Sequence, residues 1–356
     1  MHDEDALIRR VVRAVPSQVG GGGSRYGLAL GIGDDAALLR SYGGEEWVIS
    51  CDAFVEGVHF LADIHPADSV GYKALVRAAS DLVAMGASPR LFLLTLALPK
   101  SRSGRWLDKF LAGLRRAANY LNMRLAGGDT TAGAKVSISV AVLGQIGNNV
   151  SHGVPRSAKG RSGHCGTALT RSGGRAGDRI YVSGTLGRAQ IGLELVRRMK
   201  KRVVRMTMGP LPEALKAHFY PRLRVDLGKW LARNGVASAM MDLSDGLSTD
   251  LVRLCHASGV GARLWAERIP VVSPSPEILT LLPRSFDPLK AALNGGDDYE
   301  LLFTVPKRND GRLRGAPDSP ELTCIGELSN DKQILLADTD GGTKPLTAGG
   351  WDPFRK

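Results

Sequence analysis

The chain lacks the sequence features of several common protein classes. Its 356 residues hold no apolar run long enough to span a bilayer, and the run at 91–98 has the length of a buried strand. The four cysteines are scattered without a Cys-x-x-Cys pair, which disfavours a zinc site or a disulfide framework. The acidic start, Met-His-Asp-Glu-Asp, is unlike a secretory signal. We therefore expect a soluble protein of the cytoplasm with no membrane partner.

Aromatic residues are also few, at 6%, although the formal net charge is +12. A basic surface is typical of nucleic-acid-binding proteins, so that class stays open as an alternative. The basic excess lies mainly in the run at 197–205 and in the stretch from 156 to 179, where no aromatic residues are interleaved for base stacking. A solvated helix face and a basic loop, or attraction of an anionic substrate, explain the charge better.

Hydrophobic periodicity predicts helices and strands in both halves of the chain. The predicted helices are 7–15, 70–86, 105–121, 188–205 and 247–258. The predicted strands are 47–51, 91–98, 136–146, 179–183, 237–242, 301–305 and 334–337. Glycine-rich residues 20–24 are expected to form a loop. Because helices and strands mix without strict alternation, an α+β fold is favoured over a doubly wound sheet.

The length predicts two domains, and residues 147–166, which are poor in apolar side chains, are the best boundary. We place an N-terminal domain at 1–166 and a C-terminal domain at 167–356.

Six short segments carry aspartate among small residues. They span 31–35, 50–52, 80–81, 127–129, 241–246 and 295–298. Small residues let a backbone approach a polyanion, while carboxylates bind the hard cations that accompany nucleotide phosphates. No P-loop signature occurs, and Gly31-x-Gly33-x-x-Ala36 is a poor dinucleotide fingerprint, because Asp34 and Asp35 would repel a pyrophosphate.

Taken singly, each segment has a simpler explanation. Lys73, Arg77 and Asp81 follow each other at four-residue intervals and could form an exposed charged stripe on one helix. Asp129 could be a turn residue, and Asp245 the N-cap of the helix at 247–258. His59 and Trp351 could likewise be structural. Only the complete ordered set indicates a function.

That set resembles the thiamine-monophosphate kinase family. The motifs occur in the family's order: Gly-Ile-Gly-Asp-Asp-Ala-Ala, Asp-Ala-Phe-Val-Glu-Gly-Val-His-Phe, Ser-Asp-Leu-Val-Ala-Met-Gly-Ala, Gly-Gly-Asp-Thr-Thr, Asp-Leu-Ser-Asp-Gly-Leu and Gly-Gly-Asp-Asp-Tyr-Glu-Leu. The resemblance extends from about residue 5 to the terminal Gly-Gly-Trp-Asp-Pro-Phe. It implies phosphorylation of thiamine monophosphate by ATP, the two-domain fold of aminoimidazole ribonucleotide synthetase, and a homodimer paired through the N-terminal sheets.

The resemblance also implies roles for individual residues. The implied magnesium ligands are Asp35, Ser50, Cys51, Asp52, Asp81, Asp129, Asp242 and Asp245. The implied ATP contacts are Gly128, Asp129, Arg171 and Ser244. The implied contacts to thiamine monophosphate are His59, Asp297 and Trp351. No covalent nucleophile or general base is expected, because the acceptor is itself an ionised phosphate. We therefore expect direct in-line transfer of the γ-phosphate, with several Mg²⁺ ions neutralising the combined negative charge.

The chain departs from the family pattern in two places. Cys51 stands where the family usually has threonine, which leaves its backbone carbonyl as the expected ligand. The basic stretch 148–165 is longer than the usual connection and has no assigned role. Another ATP-using enzyme of the same superfamily is the nearest alternative, although residues 20–24 lack the reactive Cys and Lys expected of a selenophosphate synthetase.

Overall fold

The first half of the chain forms a mixed six-stranded sheet in the order β1-β2-β3-β6-β4-β5. This computed structural model describes residues 4–15, 27–42, 44–147, 168–199, 212–317, 321–338 and 340–354. The strands are β1 (Gly27–Leu30), β2 (Ala37–Arg40), β3 (Glu46–Val55), β4 (Ser88–Leu98), β5 (Arg124–Ala132) and β6 (Ser137–Ile146). All neighbouring strands are antiparallel except β4 and β5, which run parallel.

The helices of this half are α1 (Glu4–Ala14), α2 (Ala67–Ala84) and α3 (Arg105–Leu121). Helix α2 packs on one face of the six-stranded sheet, and α3 packs against α2. Helices α2 and α3 approach closely at Gly71 and Gly113, where a Cβ atom would lie 2.0 Å from the Phe110 carbonyl oxygen and 1.7 Å from the Asp68 carbonyl oxygen. Only glycine fits at these two crossings.

The second half forms a seven-stranded sheet in the order β13-β12-β9-β11-β7-β10-β8. Its strands are β7 (Arg179–Ser183), β8 (Ala239–Asp242), β9 (Gly261–Trp265), β10 (Leu301–Val305), β11 (Leu322–Ser329), β12 (Ile334–Ala337) and β13 (Thr343–Pro345). Its helices are α4 (Arg188–Met199), α5 (Glu213–Phe219), α6 (Val225–Arg233), α7 (Leu247–Ser258), α8 (Pro276–Leu281) and α9 (Pro288–Asn294). Short 3₁₀ turns occupy Lys100–Arg102, Ala266–Arg268 and Lys307–Gly315.

Helix α2 lies between the two halves and is buried along most of its circumference. It packs on β3, β4 and β6 of the first sheet and also contacts β8, α5 and α6 of the second half. The largest hydrophobic core is therefore continuous between the halves: Leu75 and Leu82 share one cluster with Leu227, Met240 and Phe303. This packing places the residues of α2 at the junction of the two sheets.

The α+β architecture predicted from the sequence is confirmed. Helices α3 and α7 and strands β7, β10 and β12 have the predicted bounds. The elements that were not predicted are β1, β2, β5, β9, β11, β13, α5, α6, α8 and α9. The fingerprint-like residues 31–36 lead into strand β2 and not into a helix, which agrees with the rejection of a dinucleotide unit.

Several predictions fall on residues outside the described ranges. They concern the loop at 20–24, the basic stretch 148–165 and the end of the helix predicted at 188–205, whose described part stops at Met199. The domain boundary at 166/167 also stays a prediction. Within the described ranges, no helix is both long and apolar enough to cross a membrane.

Candidate metal and substrate site

Three carboxylates from distant parts of the chain converge at the junction of the two halves. Asp35 precedes β2, Asp81 lies in the last turns of α2, and Asp242 ends β8. One carboxylate oxygen of each lies within 4.8 Å of the other two. The first two belong to the first half and the third to the second, so the cluster exists only when both halves are folded against each other.

These carboxylates are poorly solvated, and burial raises their pKa values. The pKa of Asp35 rises to about 6 through burial, against the opposing charge of Arg171. Burial and the neighbouring Asp35 raise the pKa of Asp242 to about 7. Burial and the charges of Asp52 and Asp242 raise the pKa of Asp81 well above its ordinary value. Three adjacent acids with raised pKa values are unstable as anions unless a cation lies between them.

One buried carboxylate oxygen in the cluster has no hydrogen-bond partner among the described residues. Within the part of the chain that the structure describes, Asp35 Oδ2 is buried without a hydrogen bond, whereas Asp35 Oδ1 accepts from Arg171 Nε at 2.9 Å and Nη2 at 2.5 Å. A buried oxygen with no donor is costly, and a hard divalent cation is the ligand that this donor set suits. The residues present therefore fit a Mg²⁺ ion.

Serine hydroxyls hold two of the three carboxylates in place. Ser50 Oγ donates to Asp81 Oδ2, and Ser80 Oγ donates to Asp242 Oδ2, each at 2.5 Å. The second bond joins α2 to β8 and so crosses between the halves. Ser50 is thus at the cluster, as predicted, while Ser80 was not singled out.

Successive side chains of strand β3 point to opposite faces of the sheet, so the Cys51 side chain lies on the face opposite to those of Ser50 and Asp52. Asp52 Oδ2 accepts from Arg77 Nε at 2.8 Å on the side of the sheet covered by α2. The Cys51 side chain is exposed and its Sγ lies 3.4 Å from Ser139 Oγ on the adjacent strand. Only the Cys51 backbone carbonyl remains available as the predicted ligand.

Arg171 lies directly at the cluster. Besides its two bonds to Asp35, its backbone N–H donates to both carboxylate oxygens of Asp34, at 3.2 and 3.1 Å. Its own carbonyl accepts from Ser258 at 2.8 Å. The arginine predicted to contact ATP is therefore fixed by its backbone, while its guanidinium neutralises a predicted metal ligand.

Asp245 and Trp351 lie next to each other through backbone contacts. The Trp351 N–H donates to the Asp245 carbonyl at 2.9 Å, following two similar bonds from Gly349 to Ser248 and from Gly350 to Thr249. The Asp245 carboxylate accepts from Arg253. Three consecutive N–H donors thus dock the tail on the start of α7, and Trp351 remains 42% exposed.

The Gly-Gly-Asp segment lies on the edge strand β5 and not in a turn. Gly128 is required there, because a Cβ atom would lie 1.8 Å from the Leu94 carbonyl oxygen. Asp129 is exposed, and its Oδ1 accepts from the Thr130 N–H at 2.8 Å. Within the described residues, Asp129 is not part of the three-carboxylate cluster.

Asp297 forms a second charged site beside the first. Its Oδ2 accepts from Lys73 Nζ at 2.8 Å and its Oδ1 from the Tyr299 hydroxyl at 2.7 Å. His59 belongs to the same electrostatic neighbourhood, with Nδ1 accepting from the Val55 N–H at 3.0 Å. Burial and the charge of Arg77 lower the pKa of His59 to about 4, so the ring is neutral at pH 7. Ser244 borders this site, since its carbonyl accepts from the Asp297 N–H at 2.9 Å.

Besides the turn predicted at Asp129, two more of the simpler explanations are wrong. Lys73, Arg77 and Asp81 do not form an exposed stripe: Lys73 is 4% exposed, and the three side chains bond to Asp297, Asp52 and Ser50. Asp245 is not the N-cap of α7, which is Gly246. Asp250 instead accepts the N–H groups of Asp245 and Gly246, at 3.1 and 3.0 Å.

Sequence reasoning missed the internal cations of this site. Lys73, Arg77 and Arg253 each bind a carboxylate that the motifs had identified. A signal was present for the first two, because α2 is apolar around most of its circumference and few charges interrupt it. A helix of that kind is buried, and a charge buried within it requires a partner.

Comparisons with known proteins agree over both halves. Residues 33–146 match the model of the AIR synthase related protein, N-terminal domain, and residues 175–337 match that of its C-terminal domain. The chain is 38% identical to a thiamine-monophosphate kinase of Escherichia coli (strain K12) over 343 residues, covering 93% of this chain and 94% of the relative.

Solved structures show the same similarity. The structure of AaThiL complexed with AMPPCP and TMP has a TM-score of 0.78 at 28% identity, covering 99% of this chain and 97% of the other. The crystal structure of thiamine-monophosphate kinase from Stenotrophomonas maltophilia K279a has a TM-score of 0.69 at 32% identity, with 95% of each chain covered.

Proposed function

The chain belongs to the thiamine-monophosphate kinases of the AIR synthase related protein family, and from this membership we propose that it phosphorylates thiamine monophosphate with ATP. The products are thiamine diphosphate and ADP. The observation that carries the proposal is the convergence of Asp35, Asp81 and Asp242 at the junction of the two family domains, in a chain that matches such a kinase over nearly its whole length.

The carboxylate cluster would hold Mg²⁺. We assign Asp35, Asp81 and Asp242 as its central ligands, supported by their proximity and by the unpartnered oxygen of Asp35. The remaining proposed ligands are Asp52, Asp129, Asp245, the Ser50 hydroxyl and the Cys51 carbonyl. When bound, the metal supplies positive charge that offsets the repulsion between the triphosphate and the acceptor phosphate.

The protein's own residues orient the two substrates. Arg171, with Gly128, Asp129 and Ser244, would contact ATP, and its guanidinium can exchange Asp35 for phosphate oxygens. His59, Asp297 and Trp351 would contact the acceptor, with the exposed Trp351 ring available to stack on an aromatic ring.

The transfer needs no covalent intermediate on the protein. The second pKa of a phosphate monoester is about 6, so the acceptor oxygen is largely ionised at neutral pH. That oxygen forms a bond to the γ-phosphorus while the bond to the β,γ-bridging oxygen breaks and ADP leaves. The half-buried, neutral His59 is therefore assigned to acceptor binding and not to proton transfer.

Dimerisation through the N-terminal sheets is part of the proposal. The face of the first sheet opposite α2 carries the exposed Leu93, and a shallow apolar groove lies on this sheet. The groove is lined in part by Leu39, Tyr42, Trp47, Ile49 and Leu143. Light scattering should give a dimer mass for the wild type and a monomer mass for Leu93→Glu; a monomeric wild type would contradict the pairing. The cytoplasmic location expected from the sequence stays a prediction.

One assay tests the function. Purified protein is mixed with ATP, Mg²⁺ and thiamine monophosphate, and thiamine diphosphate and ADP are quantified by chromatography. We expect the two products in equal amounts and none after excess EDTA. Absence of thiamine diphosphate, or ADP formation independent of the acceptor, would contradict the proposed kinase.

A further inference from the structure

Lys73 is a buried cation that no motif of the chain identified. It lies in the middle of α2, is 4% exposed, and reaches across the junction between the halves to Asp297. A lysine is rarely buried unless a partner compensates its charge. Its Nζ bonds to Asp297 Oδ2 at 2.8 Å, and the Asp297 side chain remains 30% exposed. The Asp297 carboxylate is thus paired with a buried cation and is still partly accessible to a ligand.

The second oxygen of Asp297 is fixed as well. The Tyr299 hydroxyl donates to Oδ1 at 2.7 Å, and the Asp297 N–H donates to the Ser244 carbonyl at 2.9 Å. Asp297 and Tyr299 both have positive φ angles, of 69° and 50°, which non-glycine residues rarely adopt. A backbone held in this unusual conformation, with two side-chain donors on one carboxylate, indicates a group whose orientation matters.

We propose that Lys73 is a positioning residue of the site for thiamine monophosphate. It orients Asp297 and compensates its charge, so that the Asp297 carboxylate can accept a hydrogen bond from this substrate. This inference rests on the proposed function and concerns how the acceptor is recognised. The exocyclic amino group of the aminopyrimidine is the donor that such a carboxylate suits. The cationic thiazolium is the poorer match, because Lys73 already balances the negative charge of Asp297.

The electrostatics of the surroundings agree with this role. Burial alone would raise the pKa of Asp297, but the charge and hydrogen bond of Lys73 hold it below the ordinary range. The charged and titratable groups around Asp297 are Lys73 and Arg77 on α2, His218 on α5, His59 after β3, His65 before α2, and the adjacent Asp298 and Tyr299. His59 and His65 have pKa values lowered to about 4, chiefly by burial, so Lys73 is the cation that bonds directly to Asp297.

The test uses Lys73→Met in the full-length enzyme. With the ammonium gone, burial would shift Asp297 toward its protonated form, which donates where it should accept. We expect KM for thiamine monophosphate to rise at least about tenfold while kcat changes less than about threefold. The ratio of variant to wild-type KM should fall as pH rises from about 6 to 9, because Asp297 then ionises again. Using the ratio cancels the acceptor's own titration.

Two further variants separate positioning from packing. Lys73→Arg keeps the charge and should hold KM within about threefold of wild type. The ratio of its KM to the wild-type KM should not change with pH. The double variant K73M/D297N has no ionisable group at either position of this pair. Its KM should therefore stay high, and the ratio of its KM to the wild-type KM should not depend on pH. Lys216→Met removes an exposed lysine from an ion pair with Glu213 and serves as the matched control, with wild-type KM expected.

The outcomes distinguish this inference from the proposed function. If wild type makes no thiamine diphosphate, the function itself is wrong. If wild type is active but Lys73→Met retains its KM, or loses kcat alone, Lys73 does not position Asp297. A Lys73→Arg variant as impaired as Lys73→Met, or a pH-dependent KM ratio in K73M/D297N, would also overturn the inference.

Discussion

At the scale of single residues, the buried carboxylate cluster should destabilise the protein when no divalent cation is bound. Asp242 is 2% exposed, and burial with the neighbouring Asp35 raises its pKa to about 7 from an ordinary 3.8. Between about pH 3.8 and 7, Asp242 is therefore protonated in the folded state and ionised in the unfolded state. The stability that Asp242 contributes is present at low pH and is lost as pH rises through about 7.

Asp242→Asn should accordingly stabilise the metal-free protein at pH 7.5. The amide oxygen can still accept from Ser80, while the repulsion with Asp35 and Asp81 disappears. We expect a Tm above that of wild type, at about 2–4 °C per kcal/mol gained. The difference in Tm between Asp242→Asn and wild type should shrink toward pH 4. It should also shrink when Mg²⁺ replaces EDTA in the buffer, because the metal stabilises wild type. Differential scanning calorimetry measures both Tm values.

The exposed Asp340 provides the control for that experiment. Asp340→Asn should leave the Tm unchanged at both pH values, because it removes an acid that is not buried. A Tm for Asp242→Asn at or below that of wild type at pH 7.5 would contradict the electrostatic account of the cluster.

The acids of this site were predicted from the sequence, whereas the carboxylate partners of its cations were not. Short segments that combine aspartate with glycine or serine stand out in the sequence, and Asp35, Asp81 and Asp242 all lie in such segments. Lys73 and Arg253 bond to carboxylates in other segments of the chain, Lys73 over more than 200 residues. Helical spacing instead paired Lys73 with Arg77 and Asp81, because spacing shows neighbours on a surface and not burial.

At the scale of elements, the contact between α2 and α3 depends on two glycines. Gly113 lies where a Cβ atom would be 1.7 Å from the Asp68 carbonyl oxygen, so any side chain forces the helices apart. Because α2 carries Asp81, Lys73 and Ser80, its position on the sheet also sets the geometry of the site.

Gly113→Ala should lower the free energy of unfolding by about 1–3 kcal/mol, as overpacked cores do. Urea denaturation followed by circular dichroism measures the change. Gly311→Ala is the matched control, because a Cβ atom there meets no atom of the described residues within 4 Å and the stability should hardly change. Equal stabilities of Gly113→Ala and wild type would show that the close crossing is not as tight as described.

Periodicity predicted helix α3, which buries an apolar face, and missed strand β5, which does not. Helix α3 has five buried positions on one side and was predicted with the observed bounds. Strand β5 is exposed at every position, and β4 is its only partner among the described strands. It contains Gly127 and Gly128, so its sequence is typical of a turn. Its strand conformation comes from parallel pairing with β4, which no local pattern indicates.

At the scale of the whole molecule, a buried histidine pair also joins the two halves. His65 precedes α2 and His218 lies in α5, with their Nε2 atoms 3.4 Å apart. Burial lowers the pKa of His65 to about 4 and that of His218 well below its ordinary range. The unfolded state then binds more protons below pH 6.5, so the stability contributed by this pair is lost as pH falls from about 6.5 to 4.

His218→Leu should weaken this dependence on pH. We expect its Tm to fall less than that of wild type between pH 6.5 and 4.5, because one of the two buried rings can no longer be protonated. His256→Leu, at an exposed position of α7, should keep the wild-type slope. Parallel slopes for His218→Leu and wild type would exclude the pair as the source of acid sensitivity.

The central claim is that carboxylates from both halves form one metal site, and binding of Mn²⁺ tests it most directly. Mn²⁺ prefers the same oxygen ligands as Mg²⁺, and its free concentration is measured by electron paramagnetic resonance. Asp81→Asn in the first half and Asp242→Asn in the second should each weaken binding at least about tenfold relative to wild type, with the folded spectrum retained. Wild-type affinity and stoichiometry in either variant would contradict the account.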